Sequence, residues 1–286
     1  MQTWFIFALL SVFVIAGSEI SQKVSLTQKV NISAITNNFF VWTLQGLGGL
    51  ILAILFNRFE FSFGSTELVS LIFVAFVYFL GGTFFYTSYK GNSPSISLVL
   101  GSISIIISTI LGILFFNEST SSIKFLGIFI ILLSIFIANY KKELRFEKYN
   151  TFALLGGICF GVAFTLDKSL VLKSSPFIYV SILCFSVALV SIVLKPRMII
   201  SDTRRMKLNN FLPMLSSALF GTLFNSFTFM AYANSGSVGA VDAMNNSSIF
   251  LVIIFEIFFL KDKSNLGRKI FGAILVTLGV ILLSTV

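Results

Sequence analysis

The sequence predicts an all-α polytopic membrane protein: ten transmembrane helices laid out as two inverted five-helix repeats. Three observations carry that expectation. First, 56% of the 286 residues are hydrophobic and only 11% are charged, against about 25% charged in an ordinary soluble domain. The mean hydropathy is +0.98. Second, apolar runs of bilayer length, about 20 residues, recur from one end of the chain to the other. Only helices and closed barrels satisfy their backbone polar groups in hydrocarbon, and continuous rather than alternating apolar runs select helices. Third, short motifs recur at a near-constant spacing.

In chain order the predicted helices cover residues 4–24, 35–56, 67–89, 95–116, 123–140, 151–172, 176–194, 210–233, 238–260 and 266–286. The first lacks the basic stretch of a cleavable signal, so it reads as a span. Short connections favour antiparallel neighbours. Phe7-Ala8-Leu9-Leu10 recurs as Phe152-Ala153-Leu154-Leu155, a spacing of 145 that also relates Lys23 to Lys168 and Gly127 to Gly272. Tyr89 and Phe115-Phe116 recur as Tyr232 and Phe258-Phe259 at a spacing of 143. The chain therefore divides into a first copy over 1–140, a linker over 141–150 and a second copy over 151–286. Five is odd, so the second copy enters the bilayer upside down. Inverted repeats are a signature of secondary transporters, whose solute site lies at the repeat interface near the midplane.

Charge sets the expected orientation. Of the 20 Lys and Arg residues, sixteen fall in the loops after the odd-numbered predicted helices. Cytoplasmic loops are rich in these residues, so both termini are expected outside, in what reads as a bacterial inner (plasma) membrane protein. The strongest contributors are Lys141, Lys142, Arg145 and Lys148, then Arg197, Arg204, Arg205 and Lys207. The net charge of +9 is thus a loop signal and implies no nucleic-acid partner. Cys159 and Cys184 sit in apolar runs and read as small buried hydrophobes. There is no His, and no metal-ligand or nucleotide-binding motif appears, so neither metal nor cofactor is expected and an enzyme is disfavoured.

The stretch from Tyr232 to Leu260 stands out, because a bilayer-length apolar segment carries Asp242, Asn245, Asn246, Ser247 and Ser248 in its first half. Such groups are expensive in hydrocarbon and face a protein interior or a wet cavity. Asp242 shares a helical face with Asn245 and Asn246, either as helix-packing glue or as the wall of a solute pathway. Asn225, Trp42 and Ser102 are further pathway candidates; Trp4, Trp42 and Tyr140 also fit interfacial belts. Glu19 and Lys23, at i and i+4, are placed to pair. Asp167 and Lys168 are adjacent, so they point apart and Asp167 is expected to bond elsewhere. Lys23 and Lys168 either snorkel to headgroups or form a pseudo-symmetric pair, one at each mouth, gripping an anionic group or gating access. Asp242 and Glu256 are the candidate carriers of a coupling proton. Glu256 lies in an otherwise apolar run, where a carboxylate must be protonated or paired.

The segments Gly91-Asn92-Ser93-Pro94 through Phe116-Asn117-Glu118-Ser119-Thr120, followed by Phe125-Leu126-Gly127, resemble the drug/metabolite transporter superfamily, in its EamA-type branch. The second copy matches through residues 236–240 and Phe271-Gly272-Ala273. It departs where the Glu is expected, at Lys261-Asp262-Lys263. The resemblance spans essentially the whole chain and implies its fold and a transport function. It also implies both termini in the cytoplasm, the reverse of the charge count. The expected function is a secondary carrier, or facilitator, that moves a small organic metabolite or amino-acid-like solute by alternating access. A lipid-linked sugar flippase or a non-transporting membrane scaffold is the alternative.

Overall fold

A computed structural model describes residues 3–118, 121–139, 147–234 and 236–284. They form helices α1 (Thr3–Leu26), α2 (Ala34–Leu55), α3 (Ser65–Ser88), α4 (Pro94–Gly101), α5 (Ile103–Phe116), α6 (Ser122–Asn139) and α7 (Lys148–Val171). Then follow α8 (Pro176–Leu194), α9 (Pro196–Arg205), α10 (Leu208–Ala233), α11 (Val238–Asn246), α12 (Ile249–Phe255), a π-helical turn (Glu256–Leu260) and α13 (Leu266–Ser284). Eight helical segments among the described residues are long and apolar enough to cross a bilayer, and α6 adds a shorter apolar stretch, Phe125–Ser134. Pro94–Phe116 and Val238–Leu260 each count as one such segment. Large apolar side chains such as Leu55, Val69, Leu114, Val193 and Phe258 face outward, while Asp242, Asp167, Glu256 and Lys269 are buried. That arrangement suits a lipid solvent and a polar interior.

Local chemistry explains the boundaries. Ser33, Ser175 and Ser237 take extended backbone and cap α2, α8 and α11 with their hydroxyls, each satisfying an otherwise unpaired N–H. Pro94, Pro176 and Pro196 open α4, α8 and α9, where a missing N–H costs nothing. Asn117 and Lys261 end their segments in the left-handed conformation, with φ of 52° and 54°. Each donates its N–H five residues back, to Gly112 and Glu256 respectively.

The tightest packing runs between the copies. The dominant helix pairs are α1 with α10, α3 with α7, α2 with α8, and α6 with α13. Exchanging the two copies converts the first pair into the second and leaves the others unchanged, so the halves interlock. Hydroxyls zip α1 to α10: Ser18 Oγ to Ser217 Oγ at 2.9 Å and Ser21 Oγ to Ser216 Oγ at 3.0 Å. A Cβ on Gly157 would stand 2.5 Å from the Gly101 carbonyl oxygen, so α7 can approach the α4–α5 junction only as glycine.

The loops gather at two ends. Phe61 in the α2–α3 loop bridges Ser174 in the α7–α8 loop, and Phe7, Pro176 and Asn234 line one pocket at that end. At the opposite end Asn92 donates to Asn150 at 2.9 Å, and Lys23, Asn92, Glu147 and Asp262 share a second pocket.

Three expectations need correction. The helix over 238–260 is not continuous. It kinks at Ser247 and Ser248, and the equivalent segment kinks at Ser102, where the hydroxyls of Ser102 and Ser247 bond the carbonyl three residues back at 2.6 Å. Such local back-bonding distorts a helix. The stretch after α8 is no plain loop: α9 is a short helix whose buried Asp202 accepts from Ser33 N–H at 2.8 Å and from the Thr36 hydroxyl at 2.8 Å. Finally, α7 starts at Lys148, inside the stretch assigned to the linker. Residues 140–146, and with them Tyr140, Lys141, Lys142 and Arg145, lie outside the described residues.

Candidate functional site

A cavity of about 110 Å³ lies at the centre of the bundle. It is far larger than the roughly 10–15 Å³ that one water needs and smaller than the roughly 300 Å³ of a drug-sized site, so it suits a small solute. Seven helical segments wall it, drawn from both copies: α1, α2, α3, the α4–α5 pair, α7, α10 and the α11–α12 pair supply its lining.

The kinked α11–α12 segment contributes most of its polarity. Asp242 is fully buried and accepts from Ser108 Oγ at 2.9 Å, Ser104 Oγ at 3.3 Å and Asn246 Nδ2 at 2.9 Å. Three donors hold one carboxylate, and two come from the other copy. Ser104 and Ser108, four apart on α5, present one face to it. Asn245 accepts from Ser11 and donates to Thr228 Oγ1 at 3.2 Å. Asn225 donates to Gln45 Oε1 at 2.9 Å. Trp42 packs against Tyr78 with ring centres 5.1 Å apart, and the Trp42 Nε1–H has no acceptor among the described residues.

Asp242, Asn245, Asn246, Asn225, Trp42 and Glu19 therefore share the cavity lining. Ser102 does not: it is buried with its hydroxyl turned onto the Val99 carbonyl, while Ser104, two residues on, faces the cavity. Glu19 and Lys23 do not pair. Tyr89 comes between them: its hydroxyl donates to Glu19 and its carbonyl oxygen accepts from Lys23, which also donates to the Asn92 carbonyl at 2.8 Å. Asp167 accepts from the hydroxyls of Tyr78 and Tyr179, behind the cavity wall. Lys168 turns the other way, to Glu118 at 3.2 Å, with its ammonium 4.9 Å from the Phe116 ring centre. Cys184 is buried, but Cys159 is only partly so.

Glu256 is not a lone carboxylate. It accepts from Lys269 at 2.8 Å and, at the first turn of α4, from Ser95 N–H at 2.5 Å and Ser95 Oγ at 2.7 Å. Lys269 also pairs with Asp262 at 2.7 Å. At the other end Glu118 accepts from Val238 N–H, the first residue of α11, at 2.8 Å. Each kinked segment thus ends in a carboxylate that caps the start of the other copy's kinked segment, where N–H groups and the helix dipole favour negative charge. Glu118 corresponds to Asp262 and Gly112 to Glu256, at a spacing of 144. The second copy therefore supplies its capping carboxylate from six residues earlier, which explains the departure at Lys261-Asp262-Lys263. The recurrence of Ser93-Pro94 and Ser237-Val238 before the two kinked segments was the available signal. No sequence signal marks Gln45 and Tyr78 in the cavity wall, because their partners Asn225 and Asp167 lie far away in sequence.

An all-helical bundle of membrane-length segments, two interlocked copies and a buried polar cavity between them define a membrane transporter. The chain belongs to the EamA-like transporter family: that family's model matches residues 2–140 and again residues 148–285. The protein is accordingly an integral membrane transporter of the drug/metabolite type, with a small-molecule solute and a lipid bilayer as its partners. A crystal structure described only as "Crystal structure of protein" is similar over 99% of this chain and 99% of its own, with a TM-score of 0.73 and 9% identity. At that identity the likeness speaks for the fold alone. No curated protein matches the sequence.

Proposed function

We propose that this chain is a secondary carrier of ten spans, two inverted five-span copies, that moves a small organic solute by alternating access around the central cavity. The supporting observation is the reciprocal capping at its two ends. Glu118 and Lys168 close one mouth, while Glu256, Lys269 and Lys23 gather at the other. Each latch ties a kinked segment of one copy to the other copy, so opening one end does not require opening the other. α6 and α13 supply the two spans beyond the eight. Loops after even-numbered spans gather at one end and loops after odd-numbered spans at the other, as inverted copies require. We place the lysine- and arginine-rich end in the cytoplasm of a bacterial inner membrane, with both termini outside.

Asp242 is the carboxylate placed to exchange a coupling proton: it lines the cavity and its partners are neutral. Glu256, held by Lys269, serves the latch instead. Residues 1–140 and 151–286 act as the two moving copies. A cavity walled by helices from both copies supports a carrier over a flippase, which needs a lateral groove for a lipid tail. In proteoliposomes, solute counterflow should occur without ATP, and Asp242→Asn should lower it at least tenfold with expression unchanged. Full activity of that variant removes Asp242 from the pathway.

A further inference from the structure

The cavity's chemistry is lopsided. Among the described residues two carboxylates line it, Glu19 and Asp242, and no Lys or Arg does. The nearby lysines are all engaged at the ends: Lys23 on the Tyr89 and Asn92 carbonyls, Lys168 on Glu118 and Lys269 on Glu256. An anionic solute would meet like charge with no counter-ion, which is costly in a low-dielectric interior. Aromatic rings of Trp42, Tyr78, Phe85, Tyr86, Phe160 and Phe164 form much of the remaining wall, and ring faces attract a cation. One lining group also lacks a protein partner among the described residues: Trp42 Nε1–H, in a residue only 4% exposed. Buried donors are normally satisfied, so this one points to an acceptor supplied by the solute.

We propose that the solute is a small organic cation, an amine or ammonium with a flat apolar body and one hydrogen-bond acceptor. Its charge lies beside Asp242 and Glu19, its body lies against the aromatic wall, and its acceptor receives Trp42 Nε1–H. This assignment rests on the carrier reading for its physiological meaning, but binding tests it separately. It favours a gating role over anion gripping for the lysines at the mouths: Lys168 is paired with Glu118, and Lys23 is held by the Tyr89 and Asn92 carbonyls.

The test is calorimetric titration of the full chain in detergent with three probes of one shape: phenethylammonium, 2-phenylethanol and phenylacetate. Tyramine adds a hydroxyl acceptor. Phenethylammonium should bind at least tenfold more tightly than the neutral or anionic probe, and tyramine more tightly still. Asp242→Asn and Glu19→Gln should each weaken the cations at least tenfold. Trp42→Phe should erase the advantage of tyramine over phenethylammonium. Should Asp242→Asn fail to fold, Glu19→Gln and the selectivity of the unmodified chain decide the matter. Equal or tighter binding of the anion or the alcohol overturns the proposal, and so does binding of no probe. Counterflow of the same probes in proteoliposomes separates the two readings. An ammonium that binds but is never moved sinks the carrier and spares the cation; a carried anion does the opposite.

Discussion

At the scale of single residues, buried charge is tolerated only where its partners come with it. Lys269 and Glu256 are 1% and 0% exposed at the side chain, and Asp262 shares the ammonium. Removing one member leaves an unpaired charge in a low dielectric, which typically costs about 3–5 kcal/mol. Lys269→Met should therefore lower the unfolding midpoint in detergent by the equivalent of about 3–5 kcal/mol. The double variant Lys269→Met with Glu256→Gln should recover part of that loss. Asp202, outside the spans, makes a second prediction. Burial alone would raise its pKa, but the Ser33 N–H and hydroxyl, the Thr36 hydroxyl and Arg205 outweigh it and hold the carboxyl below the usual value. A depressed folded-state pKa contributes stability above the unfolded value of about 3.9 and loses it as pH falls through the folded value. Asp202→Asn should thus destabilise the protein at neutral pH, with the difference from the unmodified chain shrinking below pH of about 3.9 and vanishing only below the lower folded-state value. A difference that persists unchanged in acid contradicts this.

The elements show what the sequence could and could not reveal. Spans are legible because the bilayer demands long apolar runs, and Asp242, Asn245 and Asn246 are legible because three or four residues on a helix always share a face. The same rule misleads at Glu19 and Lys23, where the Tyr89 hydroxyl and carbonyl, from α3, take both groups. Ser102 was read as a pathway residue, yet at the scale of its helix it is a kink: its hydroxyl returns to the Val99 carbonyl, as that of Ser247 returns to Met244. Reciprocal capping could not be foreseen, because Glu118 reaches 120 residues forward and Glu256 161 residues back. These kinks aim Asp242 and Ser104 at each other across the copies. Ser102→Ala with Ser247→Ala should leave the protein folded and solute affinity within about twofold while lowering the turnover rate several-fold, since each change removes one local hydrogen bond of about 0.5–1.5 kcal/mol. An unchanged turnover rate assigns the kinks no part in transport.

At the scale of the whole molecule, duplication explains both the packing and the cavity. Exchanging the copies maps α1–α10 onto α3–α7, so a shift of one copy against the other repacks both pairs together. The two latches differ, however. The Glu118–Lys168 pair is partly exposed, at 9% and 14% of the side chain, while Lys269 and Glu256 are almost wholly buried. The weaker latch should open more readily. Glu118→Gln should therefore bias the carrier toward exposure at the Lys168 end, measured as faster labelling of the cavity from that face.

The most direct test of alternating access is side-specific labelling of Asn225→Cys, in a background with Cys159→Ser and Cys184→Ser, by a membrane-impermeant thiol reagent. Sealed right-side-out and inside-out vesicles would be compared with and without Glu118→Gln. The account predicts reaction from either face, with Glu118→Gln raising the rate at the Lys168 end and lowering it at the Lys269 end. Rates that rise at both faces together, or a thiol reached from neither, would contradict it.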